Sequence, residues 1–186
     1  MTQHTFVAYV EDKPGVLNRV ASLFRRRAFN IESLAVGHTD QEGVSRMTIV
    51  VDTDDDGARR VEANLYKLVN VLRVDDVTNR PTVTRDLALL KVDASANKRS
   101  EIMQLVDVYR ARIVDVTNES LIVEITGTED KIESLIDVLR PFGIIEMVRT
   151  GLVAMSRGAN TISPNPPLVN AAIPEEIGNA AVAMSV

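Results

Sequence analysis

Cysteine and tryptophan are absent from the 186 residues, and aromatic side chains make up only 4% of them. There is therefore no disulfide framework and no thiol chemistry. No run approaches the roughly 20 apolar residues that span a bilayer. The opening MTQHTFVAYVEDKPG has no basic region followed by an apolar stretch, so neither a signal peptide nor a membrane partner is expected. Positive charge is also in short supply. The formal net charge is -5, against what wholesale nucleic-acid binding needs. What remains is 45% hydrophobic residues, enough for a real core. The expectation is a soluble cytoplasmic protein of one domain or two small ones.

The chain reads as two similar halves and a tail. A strand over Thr5–Val10 is followed by the Pro14-Gly15 turn and a helix from about Val16 to Arg27. Val16, Leu17, Val20, Ala21, Leu23 and Phe24 form its apolar stripe. Strands follow at Asn30–Gly37 and Ser45–Asp52, then a helix from about Ala58 to Asn70 and a strand over Val71–Val77. The second half repeats the order: strand Arg85–Ala94, helix Ser100–Ala111, strands Arg112–Asn118 and Ser120–Gly127, helix Asp130–Pro141 with Thr128 as its N-cap, and a last strand Ile144–Ser156. The expected fold is α+β: two ferredoxin-like βαββαβ domains, each an antiparallel four-stranded sheet with two helices on one face. Pro81 marks the boundary, giving domains at 1–79 and 80–158. Residues 159–186 form a Pro-, Asn- and Ala-rich tail of uncertain order. The strands around Val7, Tyr9, Leu34, Val36, Met47, Ile49 and Val51 alternate with residues that are themselves partly apolar. The helix-free face then needs cover, and a second copy would supply it, hence an expected homodimer.

Catalytic machinery is scarce. His4 and His38 are the only histidines. No HExxH, GxSxG or nucleophile–base set occurs. Asp52, Asp54, Asp55 and Asp56 do not have EF-hand spacing, and helix capping accounts for them. No metal site is expected. The run Arg25, Arg26, Arg27, with Arg19, makes a small positive patch or simply complements a helix C-terminus. No strand carries the aromatic–basic signature of an RNA-recognition sheet.

The turn EDKPGVL is more informative. The helix-start amides of Val16 and Leu17 suit a carboxylate. Asp12 offers an acceptor to an ammonium group, and Asn30 offers both donor and acceptor. A free amino acid needs these groups. A tight β–α turn with Gly15 for steric reasons needs no ligand, and the residues alone leave both readings open.

The segments PGVLNRVASLF, FNIESLAVG and SRMTIVV, in that order and spacing, resemble the small regulatory subunits of acetohydroxyacid synthase, also called acetolactate synthase. KLVNVLRVDDVT, RDLALLKV, IVDVT and GLVAMSRG extend the resemblance over roughly residues 4–158. The resemblance implies that the first half is an ACT domain, pairing side by side and binding a branched-chain amino acid, most often valine, at the dimer interface. It implies that the chain is not an enzyme but raises the activity of a large catalytic subunit and confers feedback inhibition. Thiamine diphosphate, Mg and FAD would sit on that partner and none on this chain. The family's effector contacts fall on Asp12, Gly15, Val16 and Leu17 and, opposite, on Asn30 and Ile31. The chain departs from the family in having Asp12 where Asn is common and Ala28 where Gly is common. An ACT-domain sensor for a different enzyme is the alternative.

Overall fold

The computed structural model describes residues 2–159; the proposed tail, beyond Ala159, lies outside the described residues. The first module consists of β1 (Thr2–Glu11), α1 (Val16–Arg26), β2 (Ile31–His38), β3 (Val44–Thr53), α2 (Asp55–Leu65) and β4 (Val71–Asp76). Its sheet runs β2-β3-β1-β4, with every neighbouring pair antiparallel. Alternation in β1 sends Phe6, Ala8 and Val10 toward the helices, where they meet Val20, Phe24, Val61 and Leu65 in one buried cluster. Each large side chain so buried contributes roughly 1.5–3 kcal/mol. The N-terminal stripe of α1 is narrower than expected: Val16, Val20, Leu23 and Phe24 are buried, but Leu17 is 46% exposed and Ala21 is also exposed.

The second module repeats the plan with β5 (Thr82–Asp93), α3 (Arg99–Val108), β6 (Arg112–Val116), β7 (Ser120–Gly127), α4 (Glu129–Leu139), β8 (Ile144–Arg149) and β9 (Val153–Ser156). The strand order β6-β7-β5-β8 copies the first sheet. Ala88, Leu90 and Val92 pack on Ile102, Val106, Ile132 and Leu135. The two ferredoxin-like folds read from the sequence are therefore present, with the second sheet enlarged to five strands.

Three local expectations change. The helix expected over 58–70 begins at Asp55, because Asp54 caps it by accepting from the Gly57 amide at 2.7 Å, and it ends at Leu65. Thr128 does occupy the N-cap of α4, but its side chain makes no capping bond. The last strand is two strands. Gly151, at φ +82°, breaks it, and β9 leaves β8 to pair with the first residues of β5, Thr82–Arg85.

That break changes how the first sheet is covered. Directly paired residues share a face, so register places Leu34, Val36, Met47, Ile49 and Val51 on the helix side with Phe6 and Ala8. Val7 and Tyr9 face the other way. They do not wait for a second copy: Val77 and Ala154 of the same chain pack on Val7, with Tyr9 against them. Arg46 holds the cover in place, donating to the carbonyl of Ala154 and to Tyr9 Oη at 3.2 Å, with its guanidinium 5.8 Å from the Tyr9 ring centroid. Leu152 donates its amide to Ser33 Oγ at 3.0 Å.

Candidate functional site

β1, an inner strand, ends at one end of the first sheet, and the turn Asp12–Gly15 leads from it into α1. The turn is anchored on both sides. The Asp12 amide donates to Gly43 O at 2.7 Å, tying it to the β2–β3 hairpin. On the other side stands Asn70, 9% exposed. Its backbone carbonyl accepts from the Glu11 amide at 2.9 Å, and its side-chain amide donates to Glu11 Oε2 at 2.5 Å. Arg19 donates to the Asn70 side-chain oxygen. These bonds hold the Glu11 carboxyl below its ordinary range, the Asn70 amide first and Lys13 second. Asn70 was invisible to sequence reading, being one polar residue in a connection whose partners are 51 and 59 positions away.

Gly15 is the N-cap residue of α1 at φ +84°, a left-handed conformation that favours glycine. A Cβ placed there would meet no atom within 4 Å. The space over the helix start is thus open. The Val16 amide is partly engaged, donating to Lys13 O at 3.3 Å. The Leu17 and Asn18 amides have no protein acceptor among the described residues. Of the two donors named from sequence, Leu17 is thus free and Val16 partly engaged, and Asn18 is a second free donor beside them. Val16 is buried in the core and Leu17 projects outward. Asp12 is a half-exposed carboxylate whose Oδ2 lies 3.2 Å from Nδ1 of His38, a neighbour that the sequence did not reveal.

Asn30 and Ile31 are elsewhere. Ile31 begins β2 and Asn30 precedes it, while the turn adjoins the strand's far end at His38; seven residues of strand separate these points by roughly 23 Å. Asn30 is exposed and donates to Glu32, and Ile31 packs at the rim of the core. A single chain therefore brings Asp12, Gly15, Val16 and Leu17 together and leaves Asn30 and Ile31 apart. β2 is an edge strand.

Ala28 does sit at φ +55°, in the position where glycine relieves strain. It ends α1 in a Schellman motif: the Phe29 amide reaches Phe24 O at 3.1 Å and the Ala28 amide Arg25 O at 3.2 Å. The remaining candidates have structural partners. Asp54 caps α2 and Asp56 pairs with Arg59. His4 is 3% exposed, stacked on Phe6, with Nδ1 3.3 Å from Asp76. Among the described residues no three His, Asp or Glu side chains converge as metal ligands. No helix among them is long and apolar enough to cross a membrane.

Tandem βαββαβ modules make this a protein of two ferredoxin-like domains. The model of the AHAS small subunit-like ACT domain matches residues 6–73, and that of the small subunit of acetolactate synthase matches residues 85–158. The chain belongs to the acetolactate synthase small-subunit family. It is 52% identical over 156 residues to a probable acetolactate synthase small subunit of Archaeoglobus fulgidus, covering 84% of this chain and 98% of the relative. It is 50% identical over 159 residues to the acetolactate synthase small subunit of Mycolicibacterium smegmatis, covering 86% and 94%. The crystal structure of the acetolactate synthase small subunit of Thermotoga maritima superposes with a TM-score of 0.80 at 40% identity, covering 86% of this chain and 100% of that one.

Proposed function

We propose that the chain is the non-catalytic regulatory partner of a large acetolactate synthase catalytic subunit, and that it binds valine or a related branched-chain amino acid between two copies of its first module. Family membership supports the partnership. The observation that carries the ligand site is the open turn: two unpartnered amides, Leu17 and Asn18, at a positive helix end, with a carboxylate beside them. Antiparallel pairing of two β2 edges about a two-fold axis sets the His38 end of one strand against the Asn30 end of the other. The turn of one protomer then faces Asn30 and Ile31 of its partner, the arrangement one chain does not provide.

In this reading the ligand carboxylate meets the Leu17 and Asn18 amides and its ammonium meets Asp12 or the Asn30 side-chain oxygen. Its aliphatic group rests on Leu17, Val16 or Ile31. Asn30→Ala weakens binding by about 1.5–3 kcal/mol through loss of charge-assisted hydrogen bonds. Thiamine diphosphate, Mg and FAD belong to the catalytic partner, and the assembly is cytoplasmic.

Reconstitution tests the reading. The chain alone should consume no pyruvate, its addition should raise the rate of the catalytic subunit, and valine should lower that rate again. An unchanged rate across a full titration overturns the partnership. Light scattering that finds a 20.4 kDa monomer at micromolar concentration overturns the shared site.

A further inference from the structure

The basic run Arg25–Arg27 has no part in the turn, and the fold gives it a place of its own. A groove of about 420 Å³ lies between α1 and the end of α2, lined by Leu23, Arg26, Arg27, Asn64, Lys67 and Leu68. Arg25, Arg26, Arg27 and Lys67 are exposed, and none of the four pairs with a carboxylate among the described residues. Arg26 bonds only the Ser22 carbonyl at 3.3 Å. Arg19 is not part of the group, because it is committed to Asn70. A helix dipole accounts for a cation in the last turn of α1. It does not account for three consecutive ones, nor for two of them, Arg26 and Arg27, gathering with Lys67 around one groove on a chain whose net charge is -5.

The floor of the groove is apolar, from Leu23 and Leu68, and the adjoining Val69 stands 93% exposed. An apolar floor ringed by unpaired cations matches the anatomy of a protein contact, an apolar centre with a charged rim. The groove is too short and too poor in aromatics for a nucleic-acid track, which needs an extended basic stripe.

We infer that this groove docks an acidic segment of the catalytic partner, carboxylates meeting Arg26, Arg27 and Lys67 and an apolar side chain resting on Leu23 and Leu68. The inference rests on the partnership proposed above and adds the surface and the chemistry of the contact.

The test measures association of the full chain with the catalytic subunit at about 50 mM and about 300 mM KCl, conditions between which exposed pairs become screened. Wild type should bind more weakly at the higher salt. Arg26→Gln/Arg27→Gln should bind about tenfold more weakly at low salt, with a flattened salt dependence, since each exposed pair contributes up to a few-fold. Lys67→Glu should act in the same direction, and Arg26→Lys/Arg27→Lys should restore most of the affinity. Unchanged melting and unchanged dimer size show that the variants remain folded. Glutamine and glutamate variants that bind within twofold of wild type overturn the inference while leaving the partnership intact. Tighter binding of wild type to double-stranded DNA or to phosphatidylserine vesicles than to the catalytic subunit also overturns it. Failure of wild type to associate at all removes the partnership itself, a result the variants cannot mimic.

Discussion

The turns before α1 and α3 occupy the same place in the two modules and are finished differently. The first is open, with Gly15 in a left-handed conformation and nothing above it. The second is plugged by the cations of its own helix. Lys98 Nζ donates to Asp93 Oδ2 at 2.8 Å and to Phe142 O at 3.2 Å, and Arg99 reaches Ala94 O at 3.0 Å and Thr117 O at 2.5 Å. Both turns hold a carboxyl below its usual range, Glu11 chiefly through Asn70 and Asp93 chiefly through Lys98. The sheets diverge too. On the first, Val77 and Ala154 of β9 pack over Val7, whereas the second keeps Leu89, Ile122 and Val148 around a shallow hollow of about 170 Å³. A βαββαβ scaffold is thus no site by itself; leaving one turn unfilled creates the opportunity for one.

The largest effect should come from filling the open turn. Gly15→Asp places a carboxylate where the ligand carboxylate is proposed to lie. Calorimetry should show valine affinity lowered by about 100-fold or more, roughly 2.7 kcal/mol, with activation of the catalytic subunit retained. Valine binding as tight as wild type, with the dimer intact, would place the pocket elsewhere.

Next in size is the crossing that covers the first sheet. A Cβ on Gly151 would stand 2.5 Å from Ser33 Oγ, and φ +82° adds backbone strain. Gly151→Ala should cost about 2 kcal/mol in urea unfolding. A loss below about 0.5 kcal/mol would mean that β9 is held by its ladder alone.

Asn70→Ala removes the latch behind the open turn and should cost about 1–2 kcal/mol at neutral pH. The acid dependence has a definite sign. The lowered folded-state pKa of Glu11 gives stability that is complete above the ordinary glutamate range and is lost as pH falls through the folded value. The gap between wild type and Asn70→Ala should therefore narrow as pH falls below the ordinary glutamate range. A gap that widens on acidification would contradict this assignment.

The smallest effect tests where the modules agree. Arg110, at φ +51°, ends α3 in the same Schellman geometry as Ala28 ends α1, its neighbour Ala111 donating to Val106 O at 2.9 Å. Ala28→Gly and Arg110→Gly should each raise stability by about 0.5 kcal/mol, strain relief less unfolded-chain entropy. Thermal melts of both variants check it, and a gain in only one would show that the two ends are not equivalent.

Much of the fold was legible because alternation and helical spacing are local signals, and they placed all eight strands and four helices of the two repeats. Errors arose where a local signal had two readings. The helix read from Ala58 in fact starts at Asp55 and takes in Gly57, whose amide caps onto Asp54 and whose site has no room for a Cβ, which would fall 1.9 Å from Thr53 Oγ1. Gly151 inside an apolar run was the available sign of the strand break. The cover that Ala154 gives Val7 joins residues far apart in the sequence, and no pattern within a strand encodes it. Of the site, the turn was legible from Pro14 and Gly15. Asn70 and His38 were not, since only tertiary contact puts them there.

The order of synthesis gives the Gly151 crossing another consequence. The first sheet has all four of its strands once Asp76 has been made, but its cover ends at Ser156. At roughly 5–20 residues per second the ribosome needs on the order of several seconds to cover that interval. For that time the newborn first module has Val77 over Val7 but lacks Ala154, a window in which a chaperone or a second nascent chain has access to Val7 and Tyr9.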